Sequence, residues 1–428
     1  MVRILCPMAG RRSFALVFVL LAGAIGLSNQ IPSANKAARI ETLVARYDQF
    51  GYINGTVLVA DQGKIIYARG LGYANFESQI PNTPQTKFGI ASITKQFTAL
   101  LVLQLAEEGK IHLDDPVSAY LPWYRKDTGA RMNIEQLLRH TSGLPPDYDS
   151  PEFSESAEAA RRYEPQPFAQ KFCQPNLASA PGTRWDYSNC GYVLLGLVLE
   201  QVTGKPFDDL LHNRLLVPLA LNDTGIDRND LAQRVGASGY VRHAGPRYTP
   251  GPYIDRSHIF AAGAMYSTVE DLLRWHQALS GSPLISARLR DRIFQPGMHD
   301  WAYGWFVTKI PAGEPGAGHI RAEMRGDMPG NFFAWIIRYP EQDAAIIVLR
   351  NGYGSTENLE GNLQAILFDA EPHWPHRSPK DLFARAWQVP LGWAHSHPVL
   401  AAILSVLALI AIWQIARRRG QSSRRYGS

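Results

Sequence analysis

Ser92 and Lys95, in the stretch "FGIASITKQFTALLVLQLAEEG" from Phe88 to Gly109, are the residues on which a chemical reading of this chain turns. Placed at i and i+3 at the start of an apolar helix, they share one face. Ile90, Ile93, Phe97, Leu100, Leu101 and Leu103 supply enough apolar bulk to bury much of that face. Burying a lysine is expensive. A desolvated amine shifts toward its neutral form and can then take a proton from a neighbouring hydroxyl. The helix N-terminus would favour negative charge developing near Ser92. The chemistry these residues predict is attack of a serine oxygen on a carbonyl carbon. Ser-x-x-Lys alone is weak evidence, however. Ser33-Ala34-Asn35-Lys36 matches too, in a polar segment where it carries no function. A snorkelling lysine beside an N-terminal serine is the plain structural alternative.

Such a nucleophile needs a proton relay and an oxyanion site. No Gly-x-Ser-x-Gly elbow occurs, and no acid–histidine pair is placed for an ordinary triad. Tyr187-Ser188-Asn189 is the candidate, in "APGTRWDYSNCGYVLLGLVLEQVTG", where a Pro-Gly turn and a loop lead into an apolar helix. Tyr52-Ile53-Asn54 and Tyr73-Ala74-Asn75 share its pattern but flank the first strands, and read as structural.

With these motifs in place the chain resembles the serine hydrolases that include class C β-lactamases, D-Ala-D-Ala carboxypeptidases and related esterases. The words that carry the resemblance are "FGIASITKQFTALLVLQLAEEGKIHLDDPVSAYLP", "IEQLLRHTSGLP", "PGTRWDYSNCGYVLLGLVLEQVTGKPF" and "AAGAMYSTVEDLLRWHQAL", in the family's order over roughly residues 45–370. The resemblance implies Ser92 as the acyl-accepting nucleophile and Lys95 as its activating partner. It implies Tyr187 as proton shuttle, a phenolate beside Lys95, and Asn189 as binder of the substrate's amide. The backbone N–H of Ser92 would supply half of the oxyanion hole. His140 to Pro145, "HTSGLP", reads as a structural turn. The family's third motif, Lys or His, a small residue, then Gly, falls on Met324-Arg325-Gly326 when anchored on Pro329-Gly330. Gly326 fits a close backbone approach, and the Asp327 N–H would be the second oxyanion donor. Met324 departs from the pattern, because a thioether can neither meet a carboxylate nor assist proton transfer. Arg325 could replace it as a carboxylate clamp, although strand alternation turns it toward solvent. His319 would need an insertion to reach the site.

The elements that must hold these residues can be read coarsely. "GTVLVADQGKIIYARGLGYA" gives a hairpin around Asp61-Gln62-Gly63, and "NFFAWIIRYPEQDAAIIVLRN" a second, turning at Pro340–Asp343. Mostly helical segments lie between: "IEQLLRH", "AEAARRY", "GYVLLGLVLEQVTG" and "FDDLLHNRLLVPL". "STVEDLLRWHQAL" opens with a Ser-x-x-Glu capping box. "YGWFVTKI" is a further strand, and "ENLEGNLQAILFD" a final helix. The order predicts an α/β (α+β) fold, an antiparallel sheet built from both ends of the domain, flanked by helices and carrying an all-helical insertion. The resemblance implies the β-lactamase/transpeptidase-like version of that class.

The formal charge is +5, yet residues 1–30 and 398–428 hold eight arginines and no acid, leaving the body slightly acidic. That distribution leaves no nucleic-acid footprint. Arg11-Arg12 precede the apolar "SFALVFVLLAGAIGL", which reads as a signal peptide, with an uncleaved anchor as the alternative. "VLAAILSVLALIAIWQIA" (Val399–Ala416) is uncharged, close to a bilayer span, and followed at once by Arg417-Arg418-Arg419. The positive-inside rule places that tail in the cytoplasm and the body outside; a buried core helix is the competing reading. The expected organisation is a leader or anchor over 1–30, a hydrolase domain over 31–370 and a connector over 371–397. A transmembrane helix over 398–417 and a basic tail over 418–428 follow. Trp387 and Trp393 in the connector would sit at headgroup level or pack on the domain. Cys6 lies in the leader. Cys173 and Cys190 read first as buried free thiols, with a disulfide as the alternative. No metal or cofactor is required.

The expected function is a membrane-anchored serine hydrolase on the extracytoplasmic side of a bacterial cytoplasmic membrane. It would act through a Ser92 acyl-enzyme on an amide, peptide or ester, with peptidase or esterase favoured by the altered third motif. The alternative is a non-catalytic, penicillin-binding-like or sensory module, which Met324 motivates.

Overall fold

The computed structural model describes residues 33–376, apart from 147–152, 154–155, 235, 244–246, 282–284, 329–330 and 354–357. The leader, Trp387 and Trp393, the apolar run Val399–Ala416 and Pro329-Gly330 lie outside the described residues. Among those described, no helix is long and apolar enough to cross a membrane.

Both expected hairpins form. β1 (Gly55–Asp61) and β2 (Lys64–Leu71) turn through Gln62 and Gly63 at φ 52° and 73°, the left-handed conformation that a tight hairpin demands. Toward the other end of the domain come β3 (Trp301–Ala302), β4 (Trp305–Lys309), β5 (Ile320–Met328), β6 (Phe332–Tyr339) and β7 (Ala344–Arg350). All seven make one antiparallel sheet in the order β3-β4-β5-β6-β7-β1-β2. The chain's two ends therefore meet at the β7–β1 pair, with Val57 opposite Val348.

One sheet face is covered by α1 (Ser33–Gln49) and the late helix over Leu359–Leu367. α1 was not expected, and it includes the Ser33–Lys36 motif. Its sequence nevertheless places Ile40, Leu43, Val44 and Tyr47 on one stripe, all fully buried against the sheet. Each such side chain contributes roughly 1.5–3 kcal/mol. The other face packs on the helical region. α2 (Thr94–Glu107) runs through its middle, buried on nearly every side, as a helix apolar all round must be. β7, "AAIIVLR", is buried along its whole length because both faces are covered.

Three local expectations change. The helix of the opening motif starts at Thr94, not Phe88. Phe88–Gly89 pairs as a short strand with Tyr266 and Ser267, and Ala91–Ile93 forms a 3₁₀ turn. The capping role falls to Thr268, whose Oγ1 accepts the Asp271 N–H at 3.1 Å, while Ser267 bonds Thr224 at 2.8 Å. "AEAARRY" makes only a 3₁₀ turn over Ala157–Ala160, and a new helix, α3 (Pro165–Phe172), starts at the proline.

A fourth correction concerns Cys173 and Cys190, which are bridged rather than free. Cys173 caps the end of α3 and Cys190 lies in the first turn of α4 (Asn189–Thr203). The packing of these two helices brings the Cα atoms to 5.2 Å, inside the range a disulfide spans.

Candidate active site

The 3₁₀ turn lifts Ser92 out of the helical register. Ala91 before it is held at φ 46°, a left-handed conformation costing an alanine on the order of 1 kcal/mol. β5 crosses this turn at Gly326. A Cβ there would stand 2.0 Å from the Ile90 carbonyl oxygen, so the strand approaches this closely only because the residue is glycine.

Lys95, one turn on, is wholly buried. Its Nζ donates to Ser92 Oγ at 3.1 Å, to Asn189 Oδ1 at 2.5 Å and to the Ala262 carbonyl at 2.8 Å. Three acceptors match the three hydrogens of an ammonium. The cluster can therefore satisfy every hydrogen of the charged form of an amine that burial disfavours.

Tyr187 approaches from the loop before α4, its hydroxyl donating to Ser92 Oγ at 2.7 Å. Lys95 Nζ lies 4.8 Å from the centre of the Tyr187 ring. Ser188 caps α4 by accepting the Gly191 N–H at 3.3 Å, and Asn189 opens the helix with its amide oxygen turned to Lys95. Ser92, Lys95, Tyr187 and Asn189, read from two separate words of sequence, are one hydrogen-bonded cluster.

His140 supports that cluster. It is buried, sits at φ 57°, and accepts the Ser188 N–H on Nδ1 at 3.1 Å. Its carbonyl takes the Asp186 N–H at 2.8 Å, and its ring packs on Tyr187 at 4.4 Å and on Trp301 at 4.5 Å. Burial first, and then the charge of Lys95, hold the imidazole well below its ordinary range. It is therefore neutral, with its hydrogen on Nε2. The turn reading of "HTSGLP" is right as far as it goes, but this turn positions the tyrosine loop.

The third motif lies on β5. Met324 is buried and lines the cleft, on the same strand parity as Gly326. Arg325 is exposed on the opposite parity, over the rings of Phe333 and Trp335 at 5.7 and 5.5 Å, and it too lines the cleft. Asp327 shares that outward parity and lines the rim. His319 is away from the cleft, against Phe368 and Gln342. Tyr52, Asn54, Tyr73 and Asn75 are structural, with Asn54 donating to the Tyr73 carbonyl at 2.8 Å and to Asn351 at 2.7 Å.

The cleft above Ser92 encloses about 690 Å³. Its walls are largely apolar, with Phe153, Ile254, Ile259, Phe306 and Trp335; Arg256 is paired with Asp227 at 3.4 Å, and Glu323, Arg325 and Asp327 add charge along β5. The reading of the sequence missed these walls and the Ala262 carbonyl. Ala262 does lie in the quoted word "AAGAMYS", but a backbone acceptor leaves no residue-type signature. Among the described residues no cluster of histidine, cysteine or carboxylate could hold a metal ion.

The profile of the family described as Beta-lactamase matches residues 38–371. Penicillin-binding protein 4* of Bacillus subtilis is 29% identical over 365 residues, covering 80% of this chain and 78% of that protein. Protein flp of Staphylococcus aureus is 29% identical over 325 residues, or 73% of this chain. The match spans only 62% of flp's own length. Among solved structures, the octameric penicillin-binding protein homologue from Pyrococcus abyssi superposes with a TM-score of 0.68 at 25% identity, covering 82% of this chain and 81% of its own. The penicillin binding protein from Bacillus halodurans gives a TM-score of 0.66 at 26% identity, covering 76% and 98%.

Proposed function

This chain belongs to the beta-lactamase family of serine hydrolases, and we propose that Ser92 is its acyl-accepting nucleophile, acting on an amide, peptide or ester outside the cytoplasmic membrane. The observation that carries this reading is the position of Ser92 Oγ, within hydrogen-bond reach of both Lys95 Nζ and the Tyr187 hydroxyl.

A positive charge on Lys95, which its three acceptors can satisfy, favours loss of the Tyr187 proton, so that the phenol donating to Ser92 Oγ becomes a phenolate that accepts from it. The phenolate takes the Ser92 proton as Oγ bonds to the substrate carbonyl carbon. The carbonyl oxygen becomes an oxyanion that the N–H groups of Ser92 and Asp327 receive. Collapse expels the amine or alcohol, which leaves with the proton from Tyr187. A water then attacks the acyl-enzyme, losing its proton to the same phenolate, and Ser92 departs protonated. Asn189, its amide oxygen committed to Lys95, presents its NH₂ to the substrate's carbonyl.

Met324 and the apolar walls support an ester or peptide with an apolar acyl group, and Arg325 is the cation left in the lining to meet a carboxylate. The names of the penicillin-binding relatives support a cleft that β-lactams can also acylate. For localisation, the apolar run Val399–Ala416 with its following arginines supports a C-terminal membrane anchor beyond a domain over 31–370 and a connector over 371–397. The Cys173–Cys190 bridge belongs to an oxidising compartment, which favours the extracytoplasmic side.

The test is covalent labelling of the full chain with a fluorophosphonate and with a fluorescent β-lactam, followed by mass mapping. An adduct on Ser92 that Ser92→Ala abolishes is the expected result. Undiminished labelling of Ser92→Ala overturns the assignment.

A further inference from the structure

A second cleft opens at the other end of the same strands. It encloses about 1010 Å³ between the C-terminal end of α5 (Val269–Gly281), the helix α6 (Ala287–Ile293), and β4, β5 and β6, and it shares no lining residue with the catalytic cleft. Its floor is Arg338 of β6, paired across the sheet with Ala322. Arg338 is 2% exposed.

The surroundings of this arginine are unusual for a buried cation. The guanidinium lies 4.4 Å from the centre of the Phe294 ring and 5.8 Å from that of Trp305. Rings stabilise its faces but leave its N–H edge unsatisfied. Nη2 donates to Ser280 Oγ at 2.8 Å, whereas Nε and Nη1 are buried with no hydrogen-bond partner. Ser280 is itself turned to the His276 carbonyl at 3.3 Å. Among the described residues the acidic group acting on Arg338 is Asp343, which is half-exposed and faces His276 at 3.4 Å. His276 supplies no negative charge, being neutral as it stands and repelled by Arg338 if protonated. An unpaired buried guanidinium is strongly unfavourable. Burial pulls the Arg338 value down to about 9, as expected of a cation without its anion.

The mouth of the cleft adds further charge. Arg290 and Lys309 line it, against Asp291 and Asp300, while Arg321, also in the lining, turns its guanidinium to Gln364 at 3.3 Å. Arg290 spends one N–H on the Ile285 carbonyl and Arg321 lies 3.4 Å from Glu323, while Lys309 is exposed on the rim. The balance remains positive, and the deepest group is the one short of acceptors.

We propose that this second cleft binds a small oxyanion, a phosphate or a carboxylate, on the buried, unpartnered N–H groups of Arg338 at its floor with Lys309 at the rim. The proposal is independent of the acyl-enzyme reading, since none of these residues touches Ser92 or its partners. A guanidinium suits this role because its fixed planar N–H groups match oxyanion geometry.

Calorimetric titration of inorganic phosphate into the full chain, with succinate in a parallel arm, tests it at constant ionic strength. Saturable binding of one anion per chain is expected. The arm that saturates at lower concentration identifies phosphate or carboxylate as the chemistry. Arg338→Met removes the charge with nearly the same volume and should abolish the heat. Lys309→Glu, on the exposed rim, keeps the fold and should weaken binding at least tenfold. Absence of saturable heat with both anions, or unchanged affinity in Lys309→Glu, overturns the proposal. So does a folded Arg338→Met that still binds.

Discussion

His140 and Tyr187 pack ring against ring at 4.4 Å, and the same imidazole accepts the N–H of the residue after that tyrosine. One buried, neutral side chain thus fixes both the plane of the phenol and the path of its backbone. His140→Phe keeps the ring and removes the acceptor. It should lower kcat by roughly tenfold, because small misplacements of a proton-transfer group are costly. KM should change little, since His140 is not among the residues lining the cleft. Steady-state hydrolysis of a nitrophenyl ester measures the split; a change confined to KM would contradict a positioning role.

Much of this arrangement was legible in the sequence. Alternating apolar residues around Asp61-Gln62-Gly63 and Pro340–Asp343 specify the two hairpins, and the sheet follows from their places in the chain. Ser92, Lys95 and Tyr187-Ser188-Asn189 are legible through their apolar settings and the order of the words around them, since the short patterns recur elsewhere in the chain. The Ala262 carbonyl, the left-handed Ala91 and the neutral state of His140 are not, because they are properties of backbone path and burial. α1 was hidden by its polar opening and weak apolar stripe, and only the sheet it covers makes that stripe visible. The bridge between Cys173 and Cys190 depends on how two helices meet, which spacing cannot give.

Acid should weaken the fold through His276. Burial, with the charge of Arg338 adding to it, lowers its value from 6.5 to about 3. Between those limits the unfolded chain binds a proton that the folded chain refuses, so stability rises with pH there and is lost as pH falls below 6.5. His140 acts in the same direction. Chemical denaturation at pH 7 and pH 5 should show the decline, at most about 1.4 kcal/mol per pH unit for each histidine. His276→Gln should flatten part of the slope. An identical slope in that variant would remove His276 from the account.

The Cys173–Cys190 bridge closes a loop of 17 residues that contains the approach to Tyr187. Chain entropy for a loop of that size predicts about 3 kcal/mol of stabilisation. Replacing both cysteines by alanine should lower the unfolding free energy by roughly that amount. Reductant should destabilise the wild type and leave the double variant unaffected. Equal sensitivity of the two proteins to reductant would show that the bridge does not support the domain.

Met324 bears on substrate choice more directly than any other residue of β5. It is buried, lines the cleft, and occupies the position at which the family resemblance implies a cation. Arg325, on the other parity of the strand, lines the same cleft with its guanidinium over Phe333 and Trp335, so it is a second cation within the lining but not at the Met324 position. Met324→Lys has nearly the same length and adds an ammonium at the end of an unbranched chain. Its burial would cost stability, which the opening of the cleft and any bound carboxylate partly offset. The variant should gain at least tenfold in kcat/KM for acyl compounds bearing a carboxylate, relative to matched neutral esters, about 1.4 kcal/mol of discrimination. The neutral esters should lose activity modestly, because the apolar wall they contact becomes charged. Paired kinetics on a neutral ester and its carboxylated analogue decide the point. A ratio unchanged in a folded Met324→Lys would mean that this position faces the cleft without reaching the substrate, and specificity would have to be sought in the walls formed by Phe153, Ile254 and Phe306.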